Sequence, residues 1–216
     1  MSDSHRQLTG LDKLIGHFDT AVRTLHGVAS ARRPNPAGDI ESETALSQEE
    51  SKHASGLMRI NHTGEVCAQA LYSGQALTAR SPEVAREMEQ SATEEEDHLA
   101  WCQQRLEELD SKPSILNPLF YAGSFSMGAL AGLMGDKFSL GFIAATEDRV
   151  CAHLEAHLSE LPEEDIRSRA IVSEMIADEK HHGQKALEAG GSEFTEAQLN
   201  AMALLSKVMT KTTYYL

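Results

Sequence analysis

Two short acid-x-x-histidine steps constrain this chain more than anything else in it: Glu95-Glu96-Asp97-His98 and Glu179-Lys180-His181-His182. Each lies in a long stretch whose apolar residues recur with helical period, and on a helix positions i and i+3 share a face. Upstream of each, another helical stretch carries a lone acid on its inner stripe, Glu65 and Glu147. The separations are nearly equal, 30 residues from Glu65 to Glu95 and 32 from Glu147 to Glu179. Two such hairpins would set four carboxylates and two imidazoles around one axis. That is the ligand set of a carboxylate-bridged di-iron or di-manganese centre in a four-helix bundle.

A single Glu-x-x-His step means little. With the chain's Glu and His content, about one match is expected by accident, and three occur, the third being Glu50-Ser51-Lys52-His53. Glu50 suits the role of decoy, because it falls in a first helical turn, where acids are favoured by the helix dipole. The force of the pattern is its repetition at matched spacing.

The rest of the sequence agrees with an all-α chain. Ala, Leu, Glu, Gln and Met dominate, aromatics are 5%, and 216 residues suit one domain with a sizeable core. The net charge of −14 argues against a nucleic-acid partner, and most of it reads as a solvated outer face. Cys67, Cys102 and Cys151 form neither a zinc spacing nor an even disulfide set, and no apolar leader opens the chain, which suggests a reducing cytoplasmic setting. Cys102 and Cys151 read as small buried apolar residues.

Residues 1–45 form an arm: an amphipathic stretch (Leu11, Leu14, Ile15, Phe18, Ala21, Val22, Leu25), then the loop Arg32-Arg33-Pro34-Asn35-Pro36-Ala37-Gly38. Packing on the bundle is its simplest role, with a membrane or partner role open. Residues 46–216 are the metal-binding domain. Its first helix runs from Ser47, which opens a capping box, to Ala79 and carries Glu65; Gly64 beside it would let a neighbouring helix or a ligand approach. The second starts at Ser81-Pro82, ends near Asp110 and carries Glu95 and His98. The third, from Phe138 or Ser139 to Leu161, carries Glu147; His153 and His157 lie off its inner stripe, in a solvated or supporting role. The fourth, from Pro162 to Gly190, carries Glu179 and His182, and Thr195 opens a last helix. Asp178-His181 offers the same three-residue step, but Glu179-His182 leaves Asp178 free to orient a ligand histidine.

Residues 113–135 contain no charge. They read as a crossover buried between the hairpins, or as an apolar surface that lies on a membrane or admits a lipid-like substrate; the two are compatible. Pro113, Pro118 and several glycines argue against a span.

Four glutamates balance two divalent ions when both histidines are neutral, which explains how four acids could face one apolar core. Oxygen-rich ligands with two imidazoles suit Fe or Mn, and Fe makes O2 chemistry available.

The runs Arg59-Ile-Asn-His-Thr-Gly-Glu65-Val-Cys-Ala-Gln-Ala-Leu-Tyr72, Glu94-Glu95-Glu-Asp-His98-Leu, Asn117-Pro-Leu-Phe-Tyr121, Ala145-Thr-Glu147-Asp and Asp178-Glu179-x-x-His182 resemble the demethoxyubiquinone hydroxylase family of ubiquinone biosynthesis. The likeness covers roughly residues 50–216, and the arm resembles the bacterial members. Mitochondrial members have Asp where this chain has Asn61, so no role is carried to that position. The resemblance implies a ferritin-like four-helix bundle with a membrane-facing crossover and extra terminal helices. It also implies a di-iron monooxygenase that uses O2 to hydroxylate a polyprenylated demethoxyubiquinol, peripheral at the cytoplasmic face of the inner membrane. Residue by residue it makes Glu65 and Glu147 terminal ligands, Glu95 and Glu179 bridges, and His98 and His182 the nitrogen ligands of two iron ions. Reduced nicotinamide or another donor would supply electrons; other ubiquinone-biosynthesis proteins and a second copy of the chain are partners it leaves open. The competing reading is a ferritin-like iron-oxidising or storage protein, against which the uncharged stretch stands. A metal-free bundle would have to bury four acids without partners.

Overall fold

The computed structural model describes residues 10–27, 31–40 and 44–216. Among them the secondary structure is helical throughout: α1 (Gly10–His26), α2 (Gln48–Thr78), α3 (Pro82–Glu108), α4 (Asn117–Leu133), α5 (Asp136–Glu160), α6 (Ile166–Glu188) and α7 (Glu196–Thr213). Helices α2 and α3 form one hairpin and α5 and α6 the other, and the hairpins meet through α3 against α6 and α2 against α5.

Helix starts follow their side chains. Ser47 and Glu50 close the capping box that opens α2, so the third Glu-x-x-His step is a helix cap, as its position suggested. Ser81 accepts from the amides of Glu83 and Val84 ahead of α3. The fourth helix begins later than the sequence suggests. Residues 162–165 form a turn, and the buried Asp165 caps α6 by accepting from the Ser168 amide at 2.8 Å. Asp165 is held there because Arg105 of α3 donates to its Oδ1 at 2.8 Å.

The uncharged stretch is a helix despite its prolines. Pro118 sits in the first turn of α4, where a missing N–H costs no hydrogen bond. Gly128 of α4 lies against the Leu71 backbone, and Gly74 of α2 against the backbone of Phe125–Ala129, so a Cβ at either would push the helices apart. Gly64 has nothing near it; the close helix approach occurs about two to three helical turns further along α2, at Leu71 and Gly74. Only one side of α4 is covered. Ile115, Leu119, Leu130, Leu133 and Met134 stay exposed, so the stretch is not a buried crossover. No helix among the described residues is long and apolar enough to cross a membrane.

In α1, Ala21 and Leu25 pack beside Phe125 on the Val66–Tyr121 cluster, whereas Ile15, Phe18 and Val22 face solvent; the side chains of Leu11 and Leu14 lie outside the described residues. His157 is not solvated. It is buried with its Nδ1 2.7 Å from Asn61 Oδ1, and burial lowers its pKa to about 3, so it stays neutral.

Two apolar layers fill the bundle. One gathers Leu57, Met58, Trp101, Cys102, Leu154, Val172 and Met175 with their neighbours; the other gathers Tyr72, Met88, Leu140, Ile143, Ala144 and Ala186. Along each of α2, α3, α5 and α6, the sequence-predicted ligands fall between a residue of the first layer and one of the second. Burial of each large side chain contributes roughly 1.5–3 kcal/mol. The same layers close the acidic slice between them to water.

Candidate metal centre

All six sequence-predicted residues are buried, at 5% exposure or less. Glu95 and Glu179 each reach both histidines. Glu95 places Oε2 2.9 Å from His98 Nδ1 and Oε1 2.9 Å from His182 Nδ1. Glu179 places Oε1 3.2 Å from His98 Nδ1 and Oε2 3.2 Å from His182 Nδ1. Each carboxylate therefore presents one oxygen to each half of the site, the arrangement a bridge between two ions needs. Glu65 Oε2 lies 3.8 Å from His98 Nδ1 and belongs to that half. Ligand atoms of Glu65, Glu95, His98 and Glu179 lie within 4.8 Å of one another. Glu147 and His182 adjoin this group as its other half, with Glu147 Oε1 accepting from the Tyr72 hydroxyl at 2.7 Å.

The outer nitrogens are held crosswise. His98 Nε2–H donates to Asp178 Oδ2 on α6 at 2.8 Å, and His182 Nε2–H donates to Glu94 Oε2 on α3 at 3.0 Å. A carboxylate can only accept, so both Nδ1 atoms are aimed at the centre. Sequence reasoning anticipated Asp178 but assigned no role to Glu94. The signal was present: acid-Glu-x-x-His occurs twice, as Glu94-Glu95 and as Asp178-Glu179. Each acid braces the histidine of the opposite helix, which a single-helix reading cannot show. His181 is exposed and turned away, so only His182 faces the site.

The donor set fits two cations. Both Glu95 oxygens and His98 Nδ1 are buried without an aligned hydrogen bond, and a carboxylate buried in that way is costly unless a cation faces it. Without metal, protons take the place of that charge. Burial, reinforced by neighbouring carboxylates, raises Glu65 and Glu147 well above the usual carboxylate range. Burial would lower both histidines, but Glu95 and the other acids outweigh it, raising His98 well above its usual value and His182 to about 12. Burial would also raise Glu95, and the charge of His98 with His182 holds it below its usual range instead.

Raised pKa values favour the protonated forms of Glu65, Glu147, His98 and His182, and a metal held by them would displace those protons, so acid favours the proton and alkali favours the metal. The expected result is proton release on anaerobic addition of Fe²⁺ and an affinity that rises steadily from pH 6 to pH 8. A pH indicator and metal titrations at several pH values measure both.

A buried slice of four carboxylates and two imidazoles inside a helical bundle defines a ferritin-like protein with a carboxylate–histidine cluster that could hold metal. The fold agrees with that of a dodecameric thioferritin, the bacterioferritin-related protein of Bacteroides fragilis, at a TM-score of 0.54 and 17% identity over 73% of this chain and 90% of that one. The family model described as "Ubiquinone biosynthesis protein COQ7" matches residues 52–213, and the chain belongs to that family. Relatives named 3-demethoxyubiquinol 3-hydroxylase are 58% identical in Ectopseudomonas mendocina, over 98% of both chains, and 56% identical in Acinetobacter baumannii, over 98% of this chain and all of that one.

Proposed function

We propose that this chain hydroxylates the ring of a polyprenylated demethoxyubiquinol, with O2 as co-substrate and two iron ions held by Glu65, Glu95, His98, Glu147, Glu179 and His182. The observation that carries the reading is the pair of carboxylates, Glu95 and Glu179, that each span both histidines, in a chain more than half identical to hydroxylases of that name. Two ferrous ions would supply electrons and open coordination positions for O2. The protein's own residues do the rest. Glu65 and Glu147 would each help to hold one ion, and Tyr72 donates to Oε1 of Glu147, leaving its other oxygen without that hydrogen bond. The balance is one ring C–H, one O2, two electrons and two protons, giving one C–OH and one water. The electrons are returned by reduced nicotinamide or another donor.

A small cleft between α2 and α5, lined by Ala68, Leu71, Phe142 and Ile143, reaches Tyr72 and Glu147. Gln75 and Thr146 complete its lining, and it would have to widen to admit a quinol ring. Leu71 also carries the backbone against which Gly128 packs, which sets the cleft beside α4. The polyprenyl tail is better left in lipid than in water, and the exposed apolar residues of α4 and α1 would lie on the membrane surface, peripheral at the cytoplasmic face of the inner membrane. Replacing Leu119 and Leu130 by Glu together is expected to move the protein from the membrane fraction to the supernatant with its metal content unchanged. A double variant that still sediments with membranes would count against α4 as the docking face.

The reaction is tested with reduced, iron-loaded protein, isotopically labelled oxygen gas and a demethoxyubiquinol analogue. Label in the new ring hydroxyl is the expected result. Fast iron oxidation without labelled product, across several tail lengths and donors, would instead favour the iron-storage reading.

A further inference from the structure

The arm ahead of the bundle does more than pack on it. Arg33 ties together the two helices that hold His98 and Glu179. Its Nε donates to Asp97 Oδ2 on α3 at 2.8 Å, and its Nη1 and Nη2 donate to Asp178 Oδ1 and Oδ2 on α6 at 3.2 and 2.5 Å. The backbone is fastened at the same place, with the amides of Arg32 and Arg33 donating to Asp97 Oδ1 at 2.6 and 3.4 Å. The guanidinium carbon lies 4.9 Å from the Trp101 ring centre, and that ring stands 5.4 Å from His98. Asp178, held by both arms of the guanidinium fork, is the acceptor for His98 Nε2.

The other histidine has no such support. Glu94, the acceptor for His182 Nε2, takes its second hydrogen bond from Gln90 of its own helix at 2.8 Å, and among the described residues no Lys or Arg pairs with it. The two halves of the site match in their inner ligands and differ in what stands behind them.

We infer that Arg33 is a positioning residue for the His98 half of the metal centre. It fixes Asp178, Asp178 fixes the His98 ring, and Nδ1 is thereby aimed at one ion position; docking of the arm and loading of that position are coupled. The inference rests on the two-ion reading above. Residues that orient a ligand histidine typically alter metal affinity by about 10–100-fold when replaced. Because coupling is reciprocal, the ion must tighten the arm by the same factor.

The test is an anaerobic Co²⁺ titration of the metal-free full-length chain, followed by the visible absorption of bound cobalt and by total bound metal. In Arg33→Gln, one of two ions should bind about 10–100-fold more weakly, with the other within about twofold of its original affinity. Arg33→Lys keeps the charge but lacks the planar fork that grips both Asp178 oxygens while reaching Asp97, so its loss should be smaller than that of Arg33→Gln but not absent. Arg32→Gln, which removes only an outlying contact with Glu96 at 3.6 Å, should titrate as the unaltered chain does. In the unaltered chain, hydrogen exchange at the Arg32 and Arg33 amides should slow on cobalt addition. A purely structural tether would leave both cobalt affinities unchanged in Arg33→Gln and the exchange rates indifferent to metal, which overturns the inference. Equal weakening of both ions overturns it as well. An unaltered chain that takes up no more than one ion would remove the two-ion reading, and this inference with it. Circular dichroism of the metal-free variants checks the fold, and if Arg33→Gln does not fold the Arg33→Lys titration decides.

Discussion

Replacing Glu179 by alanine abolishes stable iron loading, whereas replacing Glu50 leaves it unchanged. Both acids belong to a Glu-x-x-His step, but their surroundings differ. Glu179 is buried with one oxygen 3.2 Å from each ligand histidine, so its loss takes a donor from both ion positions at once. The fall in affinity should exceed the roughly 10–100-fold typical of residues that only orient a ligand. Glu50 accepts from the Ser47 amide at 2.8 Å at the start of α2, and His53 binds the Tyr214 hydroxyl instead of facing the centre. Removing Glu50 takes away one half of the capping box, leaves the Ser47 cap in place and releases no metal. Iron per chain, measured after anaerobic loading and desalting, separates the two. Iron lost from Glu50→Ala and kept by Glu179→Ala would show that the centre had been placed on the wrong step.

The largest loss of stability is expected at Arg105→Ala. Arg105 and Asp165 are buried, at 3% and 0% exposure, and pair at 2.8 Å across the α3–α6 contact. Arg105 also donates to the Ser168 hydroxyl at 2.9 Å and to Glu108 at 3.0 Å. Truncating one partner leaves Asp165 buried without its counter-charge, which costs about 3–5 kcal/mol. For a chain of this length that corresponds to a melting temperature lower by about 6–20 °C. Replacing both partners together, as Arg105→Met with Asp165→Leu, should recover much of the loss, short of the roughly 1 kcal/mol that Asp165 contributes as the cap of α6. Urea unfolding of the single and double variants measures the difference. An Arg105→Ala chain as stable as the original would show that the pair contributes nothing.

The buried acids and histidines of the candidate site were legible because helical period and burial both act on neighbours in sequence. Glu95 with His98, and Glu179 with His182, share a face whatever the rest of the chain does. An acid on an apolar stripe, as at Glu65 and Glu147, needs a counter-charge before it can be buried. Helix starts at Ser47, Ser81 and Thr195 were legible for the same reason, since a cap bonds to amides two or three residues away. The start of α6 was not. Pro162 and the acids after it look like a first turn, but Asp165 takes the cap position because Arg105, 60 residues earlier, draws it inward.

What the sequence by itself determined was therefore everything set within a turn or two of helix: an all-α chain, a doubled hairpin of acids and histidines, and the six residues proposed to hold two ions. Tertiary structure alone decided which groups stand behind the ligands. Asp178 braces His98 and not its own helix's His182, Glu94 does the reverse, and Arg33 reaches Asp178 from 145 residues away. It alone also decided which side of α4 is covered, because that depends on where α2 lies. The physical reason is one of range. Local hydrogen bonding and periodicity are written residue by residue, whereas a charge pair across the bundle exists only once hydrophobic burial has brought distant helices together.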